Sequence, residues 1–226
     1  MNRKRLQGIS AACIIGTLSI LSACEQENYE TGDGKYSLLT TAFVEAPTNQ
    51  ERQVAYVETD DGERLTLNAP YTAKWLTKAD TVYRAVLYYY QEGDAVRPYT
   101  LSALSTATVL PVDSFKKGVR TDPVKFESAW VSKTKKYLNA GIYLKMGTSD
   151  NADAHHLVGV VRDTIMLQAD GRLTAHLRLY HYQGEVPEYY SQRTYFSIPL
   201  KDIAADSVRF SLNTYDGMVV KTFPIK

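Results

Sequence analysis

Three Asp-Gly pairs, Asp61-Gly62, Asp170-Gly171 and Asp216-Gly217, each lie between short runs rich in Val, Leu, Ile, Tyr and Thr. Asp-Gly accommodates the positive φ that a tight hairpin demands, so each pair marks a place where one strand turns back on the next. Around these turns the apolar residues recur at every second position. Leu173, Ala175, Leu177 and Leu179 alternate with Thr174, His176, Arg178, Tyr180 and Tyr182, which is the period of a half-buried strand. A chain punctuated in this way folds as sheets. No helix longer than a turn or two is expected, and residues 200–205 are the one candidate.

Between residues 36 and 112 the pattern predicts five strands, at 36–46, 54–57, 64–67, 81–90 and 99–109, with a longer connection over 69–80 that has room for one helical turn. Five strands at that spacing fit a closed barrel of the OB type, which hides its edges by closure. A meander packed on a second domain is the competing arrangement. Residues 113–122 then interrupt with charge and glycine (Asp113, Lys116, Lys117, Gly118, Arg120 and Asp122) and are expected to link two domains. From 123 to 226 seven short strands predict a two-sheet β-sandwich of Ig-like kind. The fold class read from the sequence is therefore all-β: a five-stranded OB-type barrel followed by a seven-stranded sandwich.

The N-terminus has a different character. Arg3, Lys4 and Arg5 precede an apolar run from Ile9 to Leu21, followed by Leu21-Ser22-Ala23-Cys24. The run is about 13 residues, too short at about 1.5 Å per residue to cross a ~30 Å hydrocarbon core. A basic start, a short apolar middle and small residues before a cut predict a secretory signal over 1–23. Leu-Ser-Ala-Cys resembles the bacterial lipobox, which implies lipidation of Cys24, palmitate included, and attachment to a membrane. Several acyl chains would hold firmly, because each buried methylene contributes about 0.8 kcal/mol. Residues 24–35 are polar, acidic and glycine-bearing, and suit a flexible tether. The implied location is the cell envelope of a Gram-negative bacterium, at the outer membrane, with the periplasmic or surface face left open.

Without residues 1–23 the formal charge falls from +1 to −2. A slightly acidic exported chain lacks the clustered basic footprint that nucleic acid requires. Cys13 leaves with the signal and Cys24 is consumed by lipid, so thiol catalysis and zinc–cysteine sites are excluded. The remaining chain is held by its hydrophobic cores alone. No cofactor is expected.

The lipobox, the acidic tether, the five-strand segment with Asp60-Asp61-Gly62 and the opening Asp122-Pro123-Val124-Lys125-Phe126 together resemble NigD-like proteins. Trp130, Leu157-Val158 and the run Leu177-Arg178-Leu179-Tyr180-His181-Tyr182 look most like the second domain of that family. The resemblance implies an OB-type barrel before a β-sandwich, in a lipoprotein of Gram-negative gut or oral anaerobes. It also implies a possible role of the bacteriocin-immunity kind, and it supplies no catalytic residues.

No nucleophile elbow, zinc-protease motif or phosphate-binding loop is present in the sequence. His155 and His156 are adjacent, and neighbouring strand residues face opposite ways, so they are not expected to share a metal. Asp60-Asp61 and Glu185 with Glu188 fall at turns, where solvent keeps carboxylates ordinary. No metal site and no enzyme activity are expected. A glycan hydrolase would need two carboxylates at a set separation within a cleft.

The 17 tyrosines are the chain's compositional oddity. Tyrosine suits a half-buried pleat, and with arginine it also builds contact surfaces. His176, Arg178, Tyr180 and Tyr182 with Tyr189, Tyr190, Arg193 and Tyr195 form the predicted binding surface, for a protein or a glycan. A glycan-binding accessory role is the second reading and glycan hydrolysis the third.

Overall fold

The computed structural model describes residues 38–226; the signal, Cys24 and the tether lie outside them. The first five strands are β1 (Thr40–Pro47), β2 (Val54–Thr59), β3 (Arg64–Tyr71), β4 (Val82–Glu92) and β5 (Ala95–Ala103). They close into a barrel in the order β1-β2-β3-β5-β4. All pairs are antiparallel except β3 with β5. Val44, Val54, Val57, Leu87 and Leu101 fill the interior. The 72–81 connection is a turn and not a helix. Leu76 from this turn is buried in the barrel core, and the Trp75 indole donates to the Leu101 carbonyl at 3.2 Å.

Two strand limits differ from expectation, both at prolines. β3 continues through Pro70, beyond a register shift opposite Val54 and Tyr56. β5 starts before Pro98, which sits where the β4 register shifts between Tyr88 and Tyr89. A proline removes a ladder donor, and a bulge is where a sheet tolerates that loss.

The strands that follow are β6 (Ser105–Thr106), β7 (Val109–Pro111), β8 (Lys125–Val131), β9 (Tyr137–Met146), β10 (Leu157–Leu167), β11 (Leu173–Tyr182), β12 (Tyr190–Pro199), β13 (Ser207–Thr214) and β14 (Gly217–Pro224). They form two facing sheets, β14-β13-β11-β10-β7 and β6-β12-β9-β8. The expected strand 99–109 is thus split. Its later half enters the sandwich, with β6 pairing in parallel with β12 and β7 in parallel with β10.

The segment 113–122, expected as a linker, also belongs to the sandwich. Phe115 packs on Tyr180 with ring centres 5.1 Å apart, Asp122 N donates to the His181 carbonyl at 3.0 Å, and Asn213 Nδ2 donates to the Thr121 carbonyl at 2.8 Å. One further pairing lies beyond sequence reasoning: β11 runs parallel to β13. The inward residues of both sheets, among them Leu138, Ile142, Leu177, Leu179, Ile198, Phe210 and Leu212, form one core. The glycines of the three Asp-Gly turns all have positive φ: 89° at Gly62, 81° at Gly171 and 109° at Gly217. Residues 200–205 form a turn, with Leu200, Ile203 and Ala205 buried against the sandwich core.

Candidate functional site

Arg84 is the only charged residue in the run from Val82 to Tyr90. It projects from β4 out of the barrel and onto the outer face of the β6-β12-β9-β8 sheet, where its side chain is only 3% exposed. A buried guanidinium must find partners. Nη2 donates to Asp60 Oδ2 at 2.7 Å and to Asn139 Oδ1 at 3.1 Å, and Nε donates to Ser197 Oγ at 3.0 Å. Asn139 Nδ2 donates to the same Asp60 oxygen, and the Ser197 hydroxyl donates to Asn139 Oδ1, both at 2.7 Å. Nη1, on the opposite edge of the guanidinium, has no partner.

This network is where barrel meets sandwich. Asp60 comes from the first Asp-Gly turn, Asn139 from β9 and Ser197 from β12. The expectation that Asp60 sits at a solvated turn is therefore corrected: its carboxylate is tied to a buried arginine and is only 13% exposed. Asp61, its neighbour, does face solvent and pairs with Lys133 at 2.8 Å.

On one side of the network the rings of Phe43, Trp130 and Tyr195 meet edge to face, with centres 5.1 to 6.4 Å apart. Beside them a recess of about 280 Å³ is lined by Thr40, Tyr89, Asp61 and Glu63 among others. On the other side the Tyr137 ring stacks 4.0 Å from the Arg84 guanidinium carbon. The Tyr137 hydroxyl donates to Glu45 Oε1 at 2.7 Å, and Lys136 Nζ donates to Glu45 Oε2 at 2.5 Å. Burial, and then the hydrogen bond to Glu45, push the Tyr137 hydroxyl up to about 12. Burial alone would raise Glu45. The hydrogen bonds from Lys136 and Tyr137 and the charges of Lys136 and Arg84 outweigh it, so the carboxyl is held below its ordinary range.

The eight residues predicted to form one surface are divided among three places. His176, Arg178, Tyr180 and Tyr182 do share the outer face of β11, in the five-stranded sheet. That face is already occupied in part: Arg178 pairs with Asp163 at 2.5 Å, Tyr180 lies against Phe115, and Arg120 sits 5.6 Å over the Tyr182 ring. Arg193 and Tyr195 belong to β12, in the opposite sheet, and cannot join them. There Arg193 donates to the Tyr195 hydroxyl at 3.2 Å, the Tyr195 hydroxyl donates to Glu127 at 3.2 Å, and Arg193 lies 5.9 Å from the Tyr143 ring. Tyr190 pairs with the inward-facing Met146, so it lies at an end of the core face. Tyr189 and Tyr190 are exposed, at 77% and 55%, and so is Arg193.

His155 and His156 do part company, but not by strand alternation: both lie in the loop before β10. His155 is exposed, whereas His156 stacks on the buried His181 with Nδ1 3.0 Å from His181 Nε2. Arg84, Asn139, Ser197 and Tyr137 went unnoticed in the sequence, and Asp60 was read only as part of a solvated turn. The available signal was the lone arginine within an apolar and aromatic strand, which implies a buried counter-charge.

A model of the NigD-like C-terminal β-sandwich domain matches residues 105–225, starting at β6. Among solved structures, a NigD-like immunity protein from Bacteroides caccae superposes with a TM-score of 0.63 at 25% identity, covering 82% of this chain and 92% of that one. A protein from Parabacteroides distasonis described as toxin-related gives 0.61 at 14% identity, over 82% and 92%. One from Bacteroides fragilis described as a lipoprotein gives 0.56 at 12% identity, over 83% and 98%. The last two likenesses show the fold alone. No curated protein matches the chain.

Proposed function

Because the chain belongs to the NigD-like family, we propose that it is an envelope lipoprotein that acts by binding a protein partner, in the immunity sense, and not by catalysis. The observation that carries this reading is the likeness to the Bacteroides caccae immunity protein, which spans barrel and sandwich together. Locking the two domains through Arg84 supports it, since a contact surface needs a fixed frame more than a moving one. In this reading residues 1–23 are removed, Cys24 carries the lipid, and the globule stands off the outer membrane on residues 24–35. The partner meets the exposed Tyr/Arg side of the β6-β12-β9-β8 sheet, with Tyr143 and Arg193 at its centre.

A Cys24→Ser chain, exported but unable to take lipid, serves as bait for proteins secreted by neighbouring bacteria, beside the same bait carrying Tyr143→Ala and Arg193→Ala. One protein captured by the first bait and lost from the second is the expected result. Equal capture by both removes this surface, and capture of nothing removes the immunity reading. Mass spectrometry of the native protein checks the anchor: an unmodified Cys24 still joined to residues 1–23 removes it.

A further inference from the structure

Where β1, β4, the β8–β9 turn and the 199–203 turn come together, a cleft of about 720 Å³ opens between barrel and sandwich. Its charged lining is one-sided: Arg84, Lys135, Lys136, Lys201 and Lys226 against the single acidic side chain of Glu45. Three of these cations are already answered. Arg84 pairs with Asp60, Lys136 with Glu45 and Glu58, and Lys226 with Asp206. Lys135 donates only to the neutral carbonyl of Pro224, and Lys201 has no ion pair among the described residues. Both are exposed. Behind them stands the orphaned Nη1 of the buried Arg84.

The rest of the lining is apolar. Val82 is 60% exposed, far beyond what a strand residue at a domain junction needs. Leu200, Ile203 and Ile225 continue that wall. Tyr137 is the one aromatic ring in the cleft, and Arg84 takes one of its faces. Unmatched cations beside an apolar wall complement alternating carboxylate and aliphatic side chains.

Building on the protein-binding reading above, we propose that this cleft receives a short acidic segment of the partner protein, with carboxylates at Lys135 and Lys201 and aliphatic side chains against Val82 and Ile203. A fluorescein-labelled hexapeptide alternating Glu and Leu, titrated into the intact chain and followed by anisotropy, tests it. A Gln/Leu twin and an oligogalacturonate competitor accompany it.

The Glu/Leu peptide is expected to bind, to weaken as salt rises, and to lose at least tenfold in affinity in Lys135→Glu/Lys201→Glu. Lys116→Glu/Lys117→Glu, which reverses two exposed lysines elsewhere, should leave it unchanged. Equal binding of the Gln/Leu twin, equal affinity in the cleft variant, or displacement by oligogalacturonate at lower concentration than by unlabelled Glu/Leu peptide would each overturn the assignment. If Lys135→Glu impairs folding, Lys201→Glu alone must still weaken binding threefold or more. A secreted partner whose capture survives the cleft variant would remove the cleft and leave the protein-binding reading standing.

Discussion

The junction between barrel and sandwich holds two kinds of charge within a short distance of each other. At its centre, Arg84 is sealed from water and meets Asp60, Asn139 and Ser197. At its open edge, Lys135 and Lys201 are exposed and make no ion pair among the described residues. The first arrangement is what a fold requires, since an unmatched buried charge costs several kcal/mol while a matched one is tolerated. The second makes no ion pair among the described residues, and Lys135 Nζ has only the Pro224 carbonyl. A group that stability does not need is where function should be sought. Mutations at the two places should therefore divide cleanly between stability and binding.

The largest effect is expected at the centre. Arg84→Ala strands Asp60 against the sandwich and should cost about 3–5 kcal/mol, as breaking a buried ion pair does. Asp60→Asn combined with Arg84→Met should cost less than the two single changes added together, because no charge is then left unpaired. Urea titrations of the unchanged chain, Arg84→Ala, Asp60→Asn, Arg84→Met and the double variant measure both. A loss under about 1 kcal/mol for Arg84→Ala would mean that the network is ornamental.

Next comes Gly141, on β9 just beyond this network. A Cβ there would lie 2.6 Å from Tyr195 Cε1 and 2.9 Å from Glu127 Oε2. Tyr195 also leans on Phe43 and Trp130, so moving it disturbs the aromatic side of the junction. Gly141→Ala should cost about 1–3 kcal/mol, the usual range for overpacking. Tyr195→Ala should relieve most of that penalty in the double variant. If it does not, the clash lies with Glu127.

These partners also show where sequence reading stops. Barrel and sandwich were legible because alternation and Asp-Gly turns are local signals, and all three turns stand where they were expected. The entry of the chain into the sandwich at residue 105 was not. Strands of two and three residues, β6 and β7, are too short to alternate. The predicted Tyr/Arg surface was half legible: period two did place His176, Arg178, Tyr180 and Tyr182 on one face. Nothing in the order of residues says that β11 and β12, neighbours in sequence, belong to different sheets. Arg84 announced that it needed a partner, but Asn139 and Ser197 lie 55 and 113 residues away.

Acid should undo the molecule in two stages, the sandwich before the junction. His156 Nε2 faces the Lys145 carbonyl at 3.0 Å and His181 Nδ1 faces the Asp122 carbonyl at 2.9 Å. Burial, and then the His181 charge, hold His156 below its ordinary value of 6.5. The unfolded chain therefore binds a proton at His156 more readily than the folded one, and the stabilisation present above pH 6.5 is lost as pH falls below it. Glu45, depressed from 4.5, keeps its contribution down to that pH and loses it below. Urea midpoints followed against pH should fall in two steps. His156→Gln should flatten the upper step and Glu45→Gln the lower. A single step that neither change alters would break this part of the comparison.

The smallest stability effect belongs to the open edge. Lys201→Gln removes a charge with no ion pair among the described residues, and exposed substitutions of that kind stay within about 0.5 kcal/mol. Lys135 has a φ of 58°, and its side chain makes a single bond, to a carbonyl. Lys135→Gly should therefore be neutral or slightly stabilising, because glycine accepts that backbone at no steric cost. Thermal midpoints that hold steady for both, beside a fall in affinity for the acidic peptide, would separate the two kinds of charge by experiment. If instead Lys201→Gln lowered the midpoint as Arg84→Ala should, the lysine would have a structural partner. The open edge would then be part of the frame and not a place where another protein docks.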